Sequence, residues 1–178
     1  FYFASRDGLV VNRVLSGSAS INGNLNGCMA TCATKGGNVW ILSSGGVVIG
    51  PNARINTGGF LATTAGLTDA DIFDDDHVYS FSGVGGSGIT LSGTAQITTK
   101  GGTLALIAPT VATGSNSVLR GEDGADVLYG AAEGYTITFA PDANSDFDLV
   151  SFAVPAASGT SAATGLSLGG STNAGRIF

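Results

Sequence analysis

Turn signals interrupt this chain about every eight to ten residues, and few architectures accept that spacing. The stretch ILSSGGVVIGPNARINTGGFLATT, Ile41 to Thr64, shows the pattern. Paired glycines, Gly45-Gly46 and Gly58-Gly59, stand on either side of Pro51, and short apolar runs fill the gaps. Similar runs recur further on, among them GITLSG, AQITTKG, TLALIAPTV, YTITFAP and GLSLGG. Several alternate apolar and polar residues, which is the period of a half-buried strand. No segment keeps a helical apolar stripe for the length of an ordinary helix. The best candidate, Thr63 to Phe73, offers Thr68 as N-cap ahead of Asp69 and Asp71, enough for one or two turns. With 29 glycines and only 11% charged residues, helix is disfavoured throughout. Recurrent Val, Ile, Leu and Phe argue against a disordered chain. The class is all-β.

More than a dozen strands of three to six residues are too many for a sandwich of this length. A parallel β-helix fits better, with coils of about 20 residues that each carry two or three short strands. In ILSSGGVVIGPNARINTGGFLATT, Val47 to Ile49 then form one strand, Ile55 points inward on the next, and Phe60-Leu61 begin a third.

Net charge is −6 and the pI near 4.3, with seven basic residues. No basic stripe suits nucleic acid. No apolar run is long enough to span a membrane as a helix. The chain starts at Phe1 with no initiator methionine or signal peptide, as a mature product or an excerpt would. Cys28 and Cys32 have no second pair and no nearby histidine, so a local disulfide is the better reading than zinc. Closing so short a loop contributes about 2 kcal/mol and pins a loop rather than the fold.

Several separate motifs line up in order with one family. They are VNRVL (Val11 to Leu15), SINGNL, GNVWIL (Gly37 to Leu42) and GVVIGPNARINTGGFLATT (Gly46 to Thr64). LTDADIF, GITLSGTAQITTKGGTLALIAPTV and VLYGAAEGYTITF follow. From Asn12 to about Phe139 the chain resembles the secretion region of filamentous-haemagglutinin-type exoproteins of two-partner secretion systems. The resemblance implies a right-handed, single-stranded parallel β-helix. It also implies a secreted or cell-surface location, recognition by an outer-membrane transporter, and an adhesive or structural role without catalysis or cofactor. Residues 1–178 then form one β-helix domain: an N-terminal edge over 1–11, family-like coils over 12–139, and C-terminal coils or an extension over 140–178. Two departures stand out. Ser43 to Gly46 replaces the Asn-Pro-Asn-Gly that usually follows the Trp/Phe strand. Only eleven residues precede Asn12, where the family has a longer capping section.

An uncapped coil exposes unpaired main-chain groups and apolar core. Phe1, Tyr2 and Phe3 at one end, with Ile177 and Phe178 at the other, would add exposed aromatic and aliphatic surface. Head-to-tail stacking into a filament is one expected answer, since a heterologous contact of this kind does not close. A host or cell-surface glycan or protein is the partner expected of an adhesin.

Candidate chemistry is sparse. GEDGADVLYG (Gly121 to Gly130) resembles half of a β-roll calcium site through Asp123 and Asp126, but no second copy follows, so an acidic turn is the simpler reading. Asp69, Asp71, Asp74, Asp75 and Asp76 lack calcium-loop spacing and read as a solvated loop. His77 alone makes neither a metal site nor a triad. A polysaccharide-processing β-helix would need clustered carboxylates, or acids with nearby Arg or Lys, on one face; Arg54 and Lys100 are isolated in sequence, and Asp142, Asp146 and Asp148 lie in APDANSDFDL, which reads as a loop into a strand. Trp40 and Tyr129 could face sugar, but Trp40 sits in an apolar run that reads as packing.

Overall fold

The computed structural model describes residues 1–30, 32–83, 87–140 and 147–155, and the backbone of three short strands nearer the C-terminus. The first coil holds β1 (Leu9–Val14), β2 (Ala19–Ile21) and β3 (Asn24–Asn26). The second repeats the order as β4 (Asn38–Ser43), β5 (Val47–Ile49) and β6 (Arg54–Thr57). In the third, β7 (Gly59–Thr63) is separated from β9 (Ile89–Leu91) and β10 (Gln96–Lys100) by an excursion containing α1 (Asp69–Phe73) and β8 (Val78–Phe81). The fourth is β11 (Leu104–Ala108), β12 (Val111–Thr113) and β13 (Val118–Glu122). After β14 (Asp126–Ala131) a second excursion carries β15 (Tyr135–Phe139) and β16 (Leu149–Ala153). The chain then returns through β17 (Leu166–Leu168), β18 (Thr172–Ala174) and β19 (Arg176–Ile177).

Like strands of successive coils pair in parallel, which makes three sheets. Sheet 1 runs β1-β4-β7-β11-β14-β19, sheet 2 β2-β5-β9-β12-β17 and sheet 3 β3-β6-β10-β13-β18. Inward side chains therefore stack coil on coil: Val47 lies beside Ile89 and Ile89 beside Val111, and Ile55 beside Ile97 and Ile97 beside Leu119. The arrangement is all-β and its parallel sheets fit a β-helix. The glycine-paired stretch forms the strands its sequence implies, with Val47 to Ile49 as β5, Ile55 buried in β6, and Phe60 and Leu61 in β7.

YTITF and HVYSF do not join the coils as expected. They form β15 and β8, which with β16 make an antiparallel sheet of order β16-β15-β8. This sheet packs over the outer face of sheet 1. Sequence patterns differ accordingly: β5, β9 and β12 alternate buried positions with exposed or half-buried ones, while β4, β7 and β11 are buried throughout. A strand covered on both sides has no solvent face, so its apolar run is continuous, as in NVWILS and LALIA.

Two cores result. Val39, Ile41, Phe60, Leu104, Leu106 and Val127 point inward to the axis. Trp40, Leu61, Ala105, Ile107 and Leu128 point outward beneath the cover, against Tyr79, Phe81, Tyr135 and Phe139. Trp40 is the hub, 4.8 Å from Tyr79 edge-on and about 6 Å from Phe81, Phe139 and Phe147. Trp40 thus packs rather than faces solvent.

The N-terminal end corrects one expectation. Phe1 and Tyr2 are exposed, but Phe3 is buried at 8% exposure and belongs to the axial core. Residues 1–3 run alongside the continuation of β3, with the Phe3 N–H donating to Cys28 O (2.8 Å) and the Cys28 N–H to Phe1 O (3.0 Å). The Phe3 ring sits flat on Gly37, where an added Cβ would lie 2.1 Å from Cγ. Cys28 and Cys32 are joined as a disulfide in the loop that follows. At the other end Ile177 pairs through its backbone with Val127. Phe178 lies outside the described residues.

The axial core holds an imperfection that supplies a prediction. Thr57 and Thr99 are register partners, both fully buried and inward-facing. Their hydroxyls have no hydrogen-bond partner among the described residues. A buried hydroxyl without a partner costs about 1–3 kcal/mol, and valine keeps the shape. Thr57→Val and Thr99→Val are each expected to raise stability by about 1 kcal/mol in denaturant titration. A loss of stability in both variants would contradict this.

Candidate functional site

The cover sheet stops one strand short of the sheet edge. Trp40, Leu61, Ala105 and Leu128 are roofed, but Leu9 and Val11 of β1 are only half-buried. The step leaves a groove of about 550 Å³ between the outer face of β1 and the first excursion. Its floor is apolar, with Leu9, Val11, Tyr79 and Phe147; Asp7, Asp69 and Asp75 stand around it.

The local sequence explains how the wall is held. Thr68 caps α1, its side chain accepting from the Asp71 N–H (3.2 Å), as its position ahead of Asp69 and Asp71 implies. Asn12 and Arg13 of the VNRVL motif tie β1 to its neighbours. The Asn12 amide donates to Trp40 O (3.2 Å). Arg13 donates to Leu67 O (2.8 Å) and pairs with the Asp69 carboxylate, so one side chain anchors the excursion to β1. Asp75 and His77 adopt positive φ, 57° and 59°, and turn the chain into β8. His77 and Asp75 line the groove, whereas Asp71, Asp74 and Asp76 stay outside its lining.

Tyr79 marks the acid side. Burial raises its phenol, and Asp74, Asp75 and Asp76 add to the effect, to about 12. Tyr135, whose hydroxyl donates to Thr63 Oγ1 (2.7 Å), is also pushed up by burial, partly offset by that bond. Both phenols keep their protons in the folded chain beyond the point where the unfolded chain loses them, near pH 10. Their contribution is therefore complete below about pH 10 and falls as pH rises towards 12. Alkaline titration is expected to release these phenolates together with unfolding; phenolate absorbance rising while circular dichroism stays native would contradict it.

The turn at Ser43 to Gly46 keeps its shape without the family's Asn-Pro-Asn-Gly. The Gly46 N–H donates to Ser43 O (3.0 Å), and Ser43 Oγ accepts from Ala19 N–H (3.2 Å) and donates to Gly17 O (3.3 Å) on the coil before. Gly45 has no alternative: a Cβ there would meet Gly17 O at 2.1 Å.

Asp123 and Asp126 are not brought together as a calcium site. Asp123-Gly124, with φ of 54° and 87° and an Ala125 N–H to Glu122 O bond, is the tight turn joining β13 to β14. Asp123 faces Lys100 at 3.5 Å, while Asp126 is fully buried. Among the described residues no three metal-ligating side chains converge. Asp142 and Asp146 lie outside the described residues. Arg54, Lys100 and Arg120 share the outer face of sheet 3, yet each is engaged: Arg54 by the carbonyls of Pro51, Ala53 and Thr94, Lys100 by Asp123, and Arg120 by Glu122. Tyr129 is buried in the axial core.

A family model described as the TPS secretion domain matches residues 2–175. The chain belongs to the TPS secretion-domain family. TPS domains are parts of exoproteins exported by two-partner secretion, and family membership implies recognition by an outer-membrane transporter. Compared one by one with curated proteins, this TPS domain finds no match. No helix among its described residues is long and apolar enough to cross a membrane.

The groove itself was not legible in the sequence. Leu9 and Val11 lie far along the chain from Ile72, Phe73 and Phe147, and only the excursion brings them together. The one local hint is Phe73, an aromatic inside an acidic run and 81% exposed.

Proposed function

We propose that this TPS domain is a right-handed, single-stranded β-helix over residues 1–178 that directs export of an adhesive surface protein. The transporter engages it in transit, and it then serves outside the cell as a non-enzymatic structural and adhesive element. The observation that carries the reading is the family match over residues 2–175, which coincides with a stack of parallel coils among the described residues. A polysaccharide-processing role has no comparable support, since the basic side chains of sheet 3 are engaged in pairs and turns. Co-expression with its transporter tests the reading. The chain is expected in the medium or on the cell surface only when the transporter is present. Equal release without it would overturn the export role. Failure of the exported chain to bind host or bacterial cells would overturn the adhesive one.

One observation favours a second role as the subunit of an extracellular filament. Phe1 and Tyr2, 50% and 77% exposed, stand beside β1, β2 and β3, the terminal strands of their sheets. Such an edge is a template for another chain. Stacking predicts rods by negative-stain imaging, and a strictly monomeric species at high concentration would contradict it.

A further inference from the structure

We propose that the groove beside β1 binds an extended basic segment of another polypeptide, one that alternates lysine or arginine with aliphatic residues. The assignment goes beyond export and adhesion and depends on neither.

Three observations carry it. First, the groove is apolar below and acidic above. Leu9, Val11 and Ile72 supply aliphatic surface, while Asp7 and Asp75 supply carboxylates beyond the Arg13–Asp69 pair. Arg13 is the opposing cation, and it is already held by Asp69 and Leu67 O. A ligand that leaves water here must therefore bring apolar groups and positive charge together. Second, β1 is the terminal strand of sheet 1, pairing with β4 alone among the described strands. A groove along an unpaired strand edge suits an extended backbone, whose alternate side chains face opposite ways. One set would meet the apolar floor and the other the carboxylates. Third, Phe73 stands 81% exposed at the rim, an apolar side chain that nothing among the described residues covers. A second copy of the same chain is a poor occupant, because its net charge of −6 repels the acidic rim.

Trp40 is the chain's one tryptophan, and its ring lies 4.8 Å from Tyr79, which lines the groove. Its emission therefore reports occupancy. The experiment titrates the chain with a short synthetic peptide alternating lysine and valine, and with its glutamate-valine counterpart. The lysine peptide is expected to bind, more weakly as salt rises, and the glutamate peptide not at all. Asp75→Asn, tolerated at positive φ, and Phe73→Ser, at an exposed rim, leave both cores intact. Each is expected to weaken binding by about tenfold, with circular dichroism unchanged. Equal binding of both peptides, or unaltered binding by both variants, would overturn the proposal. Free lysine binding as tightly as the peptide would overturn it in favour of a small organic cation. A signal that appears only with dimers in sedimentation would overturn it in favour of self-association.

Discussion

Gly37→Ala is expected to cost about 3–5 kcal/mol, as much as losing a large aromatic from a core. The position combines two demands that only glycine meets. Its φ is +73°, a left-handed conformation that costs a residue with a Cβ about 1–2 kcal/mol. Its α-carbon also lies against the Phe3 ring, where an added Cβ would fall 2.1–2.4 Å from Cγ, Cδ1 and Cδ2. These atoms are near the root of the side chain, so no rotation of the ring tip relieves the clash. The ring must leave, and residues 1–3 lose the bonds that hold them to Cys28. Urea titration of Gly37→Ala, Phe3→Ala and the double variant checks this. The double variant is expected to be less destabilised than the sum of the single ones, because once the ring is gone the added methyl has only the backbone strain to meet. Strict additivity would show that Phe3 and Gly37 do not act on each other.

Trp40→Ala is expected to cost a similar amount, about 3–5 kcal/mol, but elsewhere. The indole joins four aromatic rings of the cover sheet and second excursion to the outer face of sheet 1. Removing it opens a void under β8 and β15 while leaving the axial core, where Val39 and Ile41 point, untouched. Hydrogen exchange is expected to quicken in β8, β15 and β16 and to stay slow in β5, β9 and β12. Uniform quickening over all strands would show that the two cores do not separate.

The coils were legible because their signals are local. In GVVIGPNARINTGGF the turn glycines, the proline and the inward Val47, Ile49 and Ile55 lie within one coil, and pattern alone assigns them. Thr68 was readable as a cap for the same reason. The cover sheet was not legible, because YTITF carries the alternation of any half-buried strand. Whether its buried face meets the axis or the outside of sheet 1 depends on partners far away in sequence. A clue was present in NVWILS and LALIA, whose lack of alternation requires apolar cover on both faces. Phe3 was misread because exposure was inferred from its place near the chain end, whereas Gly8 nearby and the distant Gly37 make room for its ring. The groove was hidden for a related reason: it is defined by where the cover stops.

The division of the cover between two excursions sets an order of assembly. Each plain coil adds to the one before it by contacts about twenty to thirty residues apart, so it closes as soon as it is delivered. β8 cannot do so, since its one strand partner among the described residues, β15, is separated from it by β9 to β14. From whichever end the chain emerges, one side of that pair waits unpaired until the intervening coils are in place. The outer aromatic layer therefore closes after the coils it spans, across a longer separation in sequence than any plain coil. Its closure records that the coils between β9 and β14 are in place.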